Sequence, residues 1–133
     1  MNSQLQDIVT ECTRASDESR MSFPEVVGAL MKAGVERYYT DLIRSEKIYY
    51  MPDGDNIAVA ARPIGIEPAN EFDPADVEAA IRAIQAKKIT YHEFCRQIMA
   101  AGCVNYIVSL SGRRAVYLGR TGEAHVEPFP GAN

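Results

Sequence analysis

No apolar run in this sequence approaches the ~18 residues that a bilayer-spanning helix needs, so no membrane role is expected. The opening MNSQLQDIVTECTRASDESR lacks a basic start and a long apolar stretch, and it does not read as a secretory signal. An excess of positive charge is also missing. Lys and Arg number 14 against 18 Asp and Glu, for a formal net charge of −4. Residues 1–66 carry 7 basic and 10 acidic side chains, and residues 67–133 carry 7 and 8. Neither half has the positive field that displaces counterions from a phosphate backbone, so nucleic acid is not an expected partner.

Cysteine is scarce. Cys12, Cys95 and Cys103 are odd in number, no pair has CxxC spacing, and all three sit at apolar positions. A short disulfide-stapled domain carries more cysteines in even number. Free buried thiols in a reducing, cytoplasmic setting are therefore expected. Tryptophan is absent. So are GxGxxG, the phosphate-binding GxxxxGK[ST], GxSxG and HExxH. No motif specifies a reaction, and neither cofactor nor metal is expected.

What is present is the grammar of a soluble domain. The chain has 133 residues, 47% hydrophobic and 24% charged, the size of one domain spanning 1–133. A shift of 68 positions lays SFPEVVGALMKAGVERYYTDLIRSEKIYYMPDGD over TYHEFCRQIMAAGCVNYIVSLSGRRAVYLGRTGE without a gap. The identities include Glu25/Glu93, Met31/Met99, Gly34/Gly102, Tyr38/Tyr106, Leu42/Leu110, Tyr49/Tyr117 and Gly54/Gly122. Caps, core positions and turns match together, which reads as an internal duplication with repeats at about 4–62 and 72–127.

Each repeat is read as helix, helix and a three-stranded meander. Leu5, Ile8, Val9 and Cys12 form an apolar stripe over 4–16; Val77, Ala80, Ile81 and Ile84 form one over 74–87. Asp73 and Pro74 suit a helix start, and Lys87 and Lys88 suit its last turn. Ser22 with Glu25, and Thr90 with Glu93, have the spacing of capping boxes. Gly34 and Gly102 end these second helices, since a left-handed residue there suits glycine. Strands follow near 38–42, 47–51 and 56–62, then near 103–110, 114–119 and 123–127, with Asp53-Gly54 as a hairpin signal. Pro63, Gly65 and Pro68 mark a connector over 63–71. The expected fold is α+β: two pseudo-twofold-related helix–helix–meander repeats share one core, with an antiparallel sheet and helices packed on one face. The pattern leaves open whether the two meanders join into one sheet.

Four groups of residues are candidates for function. Tyr38, Tyr49, Tyr106 and Tyr117 recur at matched positions, and could line a ligand groove where the repeats meet or pack as strand residues. His92 and Cys95 lie three apart on a helix start, the spacing of an activated thiol; Cys95 also belongs to an apolar stripe. Arg113 and Arg114, with Arg120 nearby, could hold phosphate or carboxylate, or be solvated turn residues. Asp53-Gly54-Asp55-Asn56 has carboxylates but not the length of a calcium loop. Val35, Tyr39 and Ile43 alternate with Tyr38 and Leu42, a hint that this strand is covered on both faces.

The GVERY segment after MKAG, with the KIYY and AVYLG strands, resembles a small bacterial family of uncharacterised proteins of about this length. Some members are labelled phage envelope protein-like, and some lie in prophages. The resemblance implies an α+β domain of bacterial or phage origin and brings no catalytic residues. The expected role is a non-enzymatic binding or interaction module for a small molecule, peptide or protein, with a homodimer as one form. The alternatives are a small enzyme using Cys95 and His92, and a prophage-type regulator acting through a protein partner.

Overall fold

The computed structural model describes residues 1–131. The chain runs α1 (Ser3–Asp17), α2 (Phe23–Lys32), β1 (Arg37–Asp41), β2 (Glu46–Tyr50) and β3 (Asn56–Ala60). It then runs α3 (Pro74–Gln85), α4 (Tyr91–Ala100), β4 (Cys103–Ser109), β5 (Arg114–Gly119) and β6 (Ala124–Pro128). The strands form a six-stranded sheet in the order β3-β2-β1-β4-β5-β6. Every neighbouring pair is antiparallel. The question left open by sequence is thus answered: β1 pairs with β4, from Arg37 opposite Ser109 to Asp41 opposite Asn105, and the meanders make one sheet.

Local chemistry explains the element ends. Ser22 accepts from the Glu25 amide while the Glu25 carboxylate accepts from the Ser22 amide, closing a full capping box on α2. The second box forms only in part. Thr90 Oγ1 accepts from the Glu93 amide, but the Glu93 carboxylate turns to Arg96 at 3.6 Å instead. Lys87 is not in the last turn of α3. The helix ends at Gln85, and Lys87 takes a left-handed conformation at φ 58° beyond Ala86. At the end of α2, the Val35 amide reaches Leu30 O and the Gly34 amide reaches Met31 O, with Gly34 at φ 85°. That pattern satisfies carbonyls the helix leaves open. Left-handed residues recur 68 positions apart at Ser19/Lys87, Gly34/Gly102, Ser45/Arg113 and Gly54/Gly122.

All four helices lie on one face of the sheet. The inward positions there are buried: Tyr38, Thr40, Lys47, Tyr49, Tyr106, Val108, Ala115 and Tyr117. Val9, Leu30, Val77 and Ile98 meet them from α1, α2, α3 and α4, each with none of its surface exposed. The alternating burial of the strands follows from their two-residue period. The connector is stitched to α4, the Ala69 amide bonding Met99 O at 3.0 Å and the Asp73 amide bonding Ala101 O at 2.8 Å. Gly102 lies against this backbone, where an added Cβ would collide with the Glu71 carbonyl.

Candidate functional site

The four recurrent tyrosines come together inside the core. Tyr38 faces Tyr49 across β1 and β2, and Tyr106 faces Tyr117 across β4 and β5. Both pairs have ring centroids 5.3 Å apart at 34°. Tyr38 and Tyr106 lie on the adjacent central strands, at the junction of the halves. All four are exposed by no more than 7%, so they fill the layer between sheet and helices and do not face solvent along a groove. Two of their hydroxyls are used internally. Tyr49 Oη meets Thr13 Oγ1 at 2.8 Å, and Thr13 Oγ1 lies 2.9 Å from Val9 O. Tyr106 Oη meets Tyr91 Oη at 2.5 Å. Burial pushes the phenol pKa of each upward.

Among these rings sits a group that sequence reasoning missed. Lys47, on β2, is 2% exposed. Its Nζ lies 4.6 Å from the Tyr91 ring centroid and 5.7 Å from that of Tyr38. Aromatic faces attract a cation, but no carboxylate among the described residues pairs with it within 4.0 Å. Burial lowers its pKa. The signal was available: a residue two before an inward tyrosine on a strand also points inward. The matched position of the second half is Ala115, so the charge belongs to one half only.

Cys95 is 1% exposed on α4. Burial pushes its thiol up to about 11, the reverse of the lowering that makes a thiol nucleophilic at neutral pH. His92 is half-buried, and its Nδ1 is enclosed without a hydrogen-bond partner among the described residues. Cys103 is raised to about 12 and Cys12 is raised too, each chiefly by burial. Free, buried thiols match the sequence expectation.

The arginines are not gathered. Arg113 and Arg114 are exposed at the turn between β4 and β5, with Arg114 Nε donating to Gly112 O at 3.2 Å. Arg120 lies at the far end of β5 and donates to Pro68 O at 2.9 Å, tying down the connector. The acidic residues at 53–56 serve their own turn: Asp53 Oδ1 accepts from the Asp55 amide and Asp55 Oδ1 from the Asn56 amide. A shallow cleft of about 720 Å³ opens between the connector and the sheet end, lined by Ile43, Ile64, Ile66, Val104 and Arg120 among others.

The largest unassigned feature is the sheet face without helices. Strand register places Ala58, Ile48, Tyr39, Ile107, Val116 and Val126 opposite one another in turn. They make one apolar row across all six strands. Ile48, Tyr39, Ile107 and Val116 are half-buried by sheet neighbours, and Val126 is 50% exposed. On one side of the row lie Asn56, Tyr50, Arg37, Ser109, Arg114 and Pro128. On the other lie Ala60, Glu46, Asp41, Asn105, Leu118 and Ala124. Arg37 is laid over the row, its guanidinium carbon 4.3 Å from the Tyr50 ring centroid and 5.7 Å from that of Tyr39. The expectation that Val35, Tyr39 and Ile43 share a covered side fails in detail. Val35 is buried, Ile43 is 58% exposed beyond the strand, and only Tyr39 belongs to the row.

The family described as "Protein of unknown function (DUF1398)" matches residues 13–127. Uncharacterized protein Rv2012 of Mycobacterium tuberculosis is 28% identical over 109 residues, 80% of this chain and 66% of that relative. Uncharacterized protein Mb2035 of Mycobacterium bovis matches to the same extent. The match thus spans 66% of the length of these relatives. With 115 consecutive positions inside the family match (127 − 13 + 1), the chain belongs to the DUF1398 family.

Proposed function

We infer that this chain is a non-enzymatic interaction module whose working surface is the helix-free face of the sheet, and that its partner is a protein. The observation that carries the reading is the unbroken apolar row from Ala58 to Val126. A solvated sheet face ordinarily alternates to polar residues, and contiguous apolar surface rimmed by polar groups is the mark of a contact site. The recurrent tyrosines serve this reading from behind: they stiffen the sheet that presents the row. A reducing, cytoplasmic setting fits the three free thiols. The repeated left-handed positions support an origin by duplication of one helix–helix–meander unit within a single domain.

The test is site-resolved photo-crosslinking in cells that express the protein. A photoreactive residue replaces Ile107 on the open face or Glu78 on the exposed side of α3. Protein adducts from position 107 that are absent from position 78 are expected. Equal or absent labelling at the two positions overturns the reading.

A further inference from the structure

We propose that the open face binds a second copy of this chain, sheet to sheet, about a twofold axis that runs along the apolar row. This rests on the reading of that face as the working surface and names its partner. The argument is one of register. The three outward rows are fixed by strand pairing. A twofold axis lying along the central row reverses the strand direction of the second copy, so each row residue meets its own counterpart. The flanking rows then exchange places. Arg37 comes over Asp41 of the second copy, Tyr50 over Glu46, Ser109 over Asn105, and Pro128 over Ala124. Two pairings are unlike: Asn56 over Ala60 at the sheet edge, and Arg114 over Leu118, where a long side chain can lay its stem on leucine and keep its head in water.

The alternative twofold, along the strands, lacks this match. It sets Arg37 over Ser109, Asp41 over Asn105 and Glu46 over Leu118. Charge pairing therefore selects the first axis, and self-complementarity is what an isologous interface requires.

Two details prepare the face for it. Arg37 is already held above the row by the Tyr50 and Tyr39 rings, besides its pairing with Glu36. Asp41 Oδ1 is occupied by the Ile43 and Arg44 amides at 2.9 and 3.0 Å, which fixes the carboxylate in place. Paired sheets cross at about −30° because each is twisted. The register therefore holds best at the centre, where Arg37 and Asp41 both lie on β1. Strands about 4.8 Å apart and about 3.4 Å per residue give a face of roughly 24 by 17 Å. The projected area of roughly 400 Å² is about half the ~800 Å² per partner of a standard interface, which places the dimer among the smaller, weaker ones.

Sedimentation equilibrium of the purified full chain over a wide concentration range tests this. A dimer is expected for the native sequence. Arg37→Asp alone sets like charges opposite and is expected to weaken it by roughly tenfold or more. Arg37→Asp combined with Asp41→Arg restores the pairing in both copies and is expected to recover most of that loss. Ile107→Glu abolishes the dimer, with circular dichroism confirming the fold of each variant; Val116→Lys replaces it if it does not fold. A native monomer at every concentration overturns the proposal, as does a dimer indifferent to the face variants, or one that Asp41→Arg fails to rescue. Crosslinks from position 107 to a different protein, with a monomer in sedimentation, overturn self-association alone. Absent crosslinks together with a monomer overturn the open-face reading as well.

Discussion

At the scale of single residues, Lys47 is the one charged side chain buried among the described residues. A buried ammonium without a carboxylate loses hydration that ring faces replace only in part. Its pKa is lowered from an ordinary 10.5 by burial, so the unfolded chain holds this proton more tightly than the folded one. Stability then rises with pH across the window between the lowered value and 10.5. The buried tyrosines act in the opposite sense. Their folded pKa values lie above the ordinary 10.0, so stability is lost as pH rises past 10. Lys47→Met is expected to stabilise the fold by about 1–3 kcal/mol at neutral pH, and to remove the rise toward pH 10 while leaving the alkaline loss. Thermal unfolding of both proteins across pH checks this, and a lower melting temperature for the methionine variant counts against it. The thiols give a second expectation. With Cys95 held near 11 and 1% exposed, alkylation of native protein is expected to be far slower than after unfolding. Mass spectrometry of iodoacetamide adducts would show rapid native labelling of Cys95 if the cysteine–histidine alternative held.

At the scale of elements, most of the architecture was legible because its signals are local. The stripes of α1 and α3, the cap at Ser22, the glycines after α2 and α4 and the Asp53-Gly54 turn each rest on a few neighbouring residues. The half-formed box at Thr90 was not legible, because the choice of Glu93 between its cap and Arg96 depends on side-chain competition. Gly102 and Gly34 looked alike in sequence and differ in space. Both are left-handed, at φ 94° and 85°, so alanine costs about 1–2 kcal/mol at either from conformation. At 102 the new Cβ also meets the backbone of Glu71 and Phe72, whereas at 34 it meets only Met51 Cε at 3.6 Å. Gly102→Ala is therefore expected to lower stability by clearly more than Gly34→Ala in urea unfolding. Equal losses would mean the connector yields without resistance.

At the scale of the whole molecule, sequence could not say which strands adjoin. Pairing β1 with β4 depends on hydrogen bonds between segments about 68 residues apart, which leave no local trace. The apolar make-up of the open face was hidden for the same reason. Its row draws one residue from each of six strands, and no single strand looks unusual. Lys47 was concealed because KIYY reads as a good strand whatever the lysine does. The recurrent tyrosines sit on four neighbouring strands, and their burial depends on helices crossing above them, which periodicity alone does not place.

The seam between β1 and β4 also governs how the protein comes apart. A chain of two successive helix–helix–meander units can in principle open like a book, one half melting while the other persists. Here the ladder at the middle of the sheet belongs equally to both halves: Tyr38 pairs with Val108 and Thr40 with Tyr106. Neither half can unravel without stripping the other of its innermost strand partner. Amide hydrogen exchange is expected to find its slowest sites on both sides of this seam, at one common opening free energy equal to that of global unfolding. Two distinct plateaus would show instead that each half is its own cooperative unit.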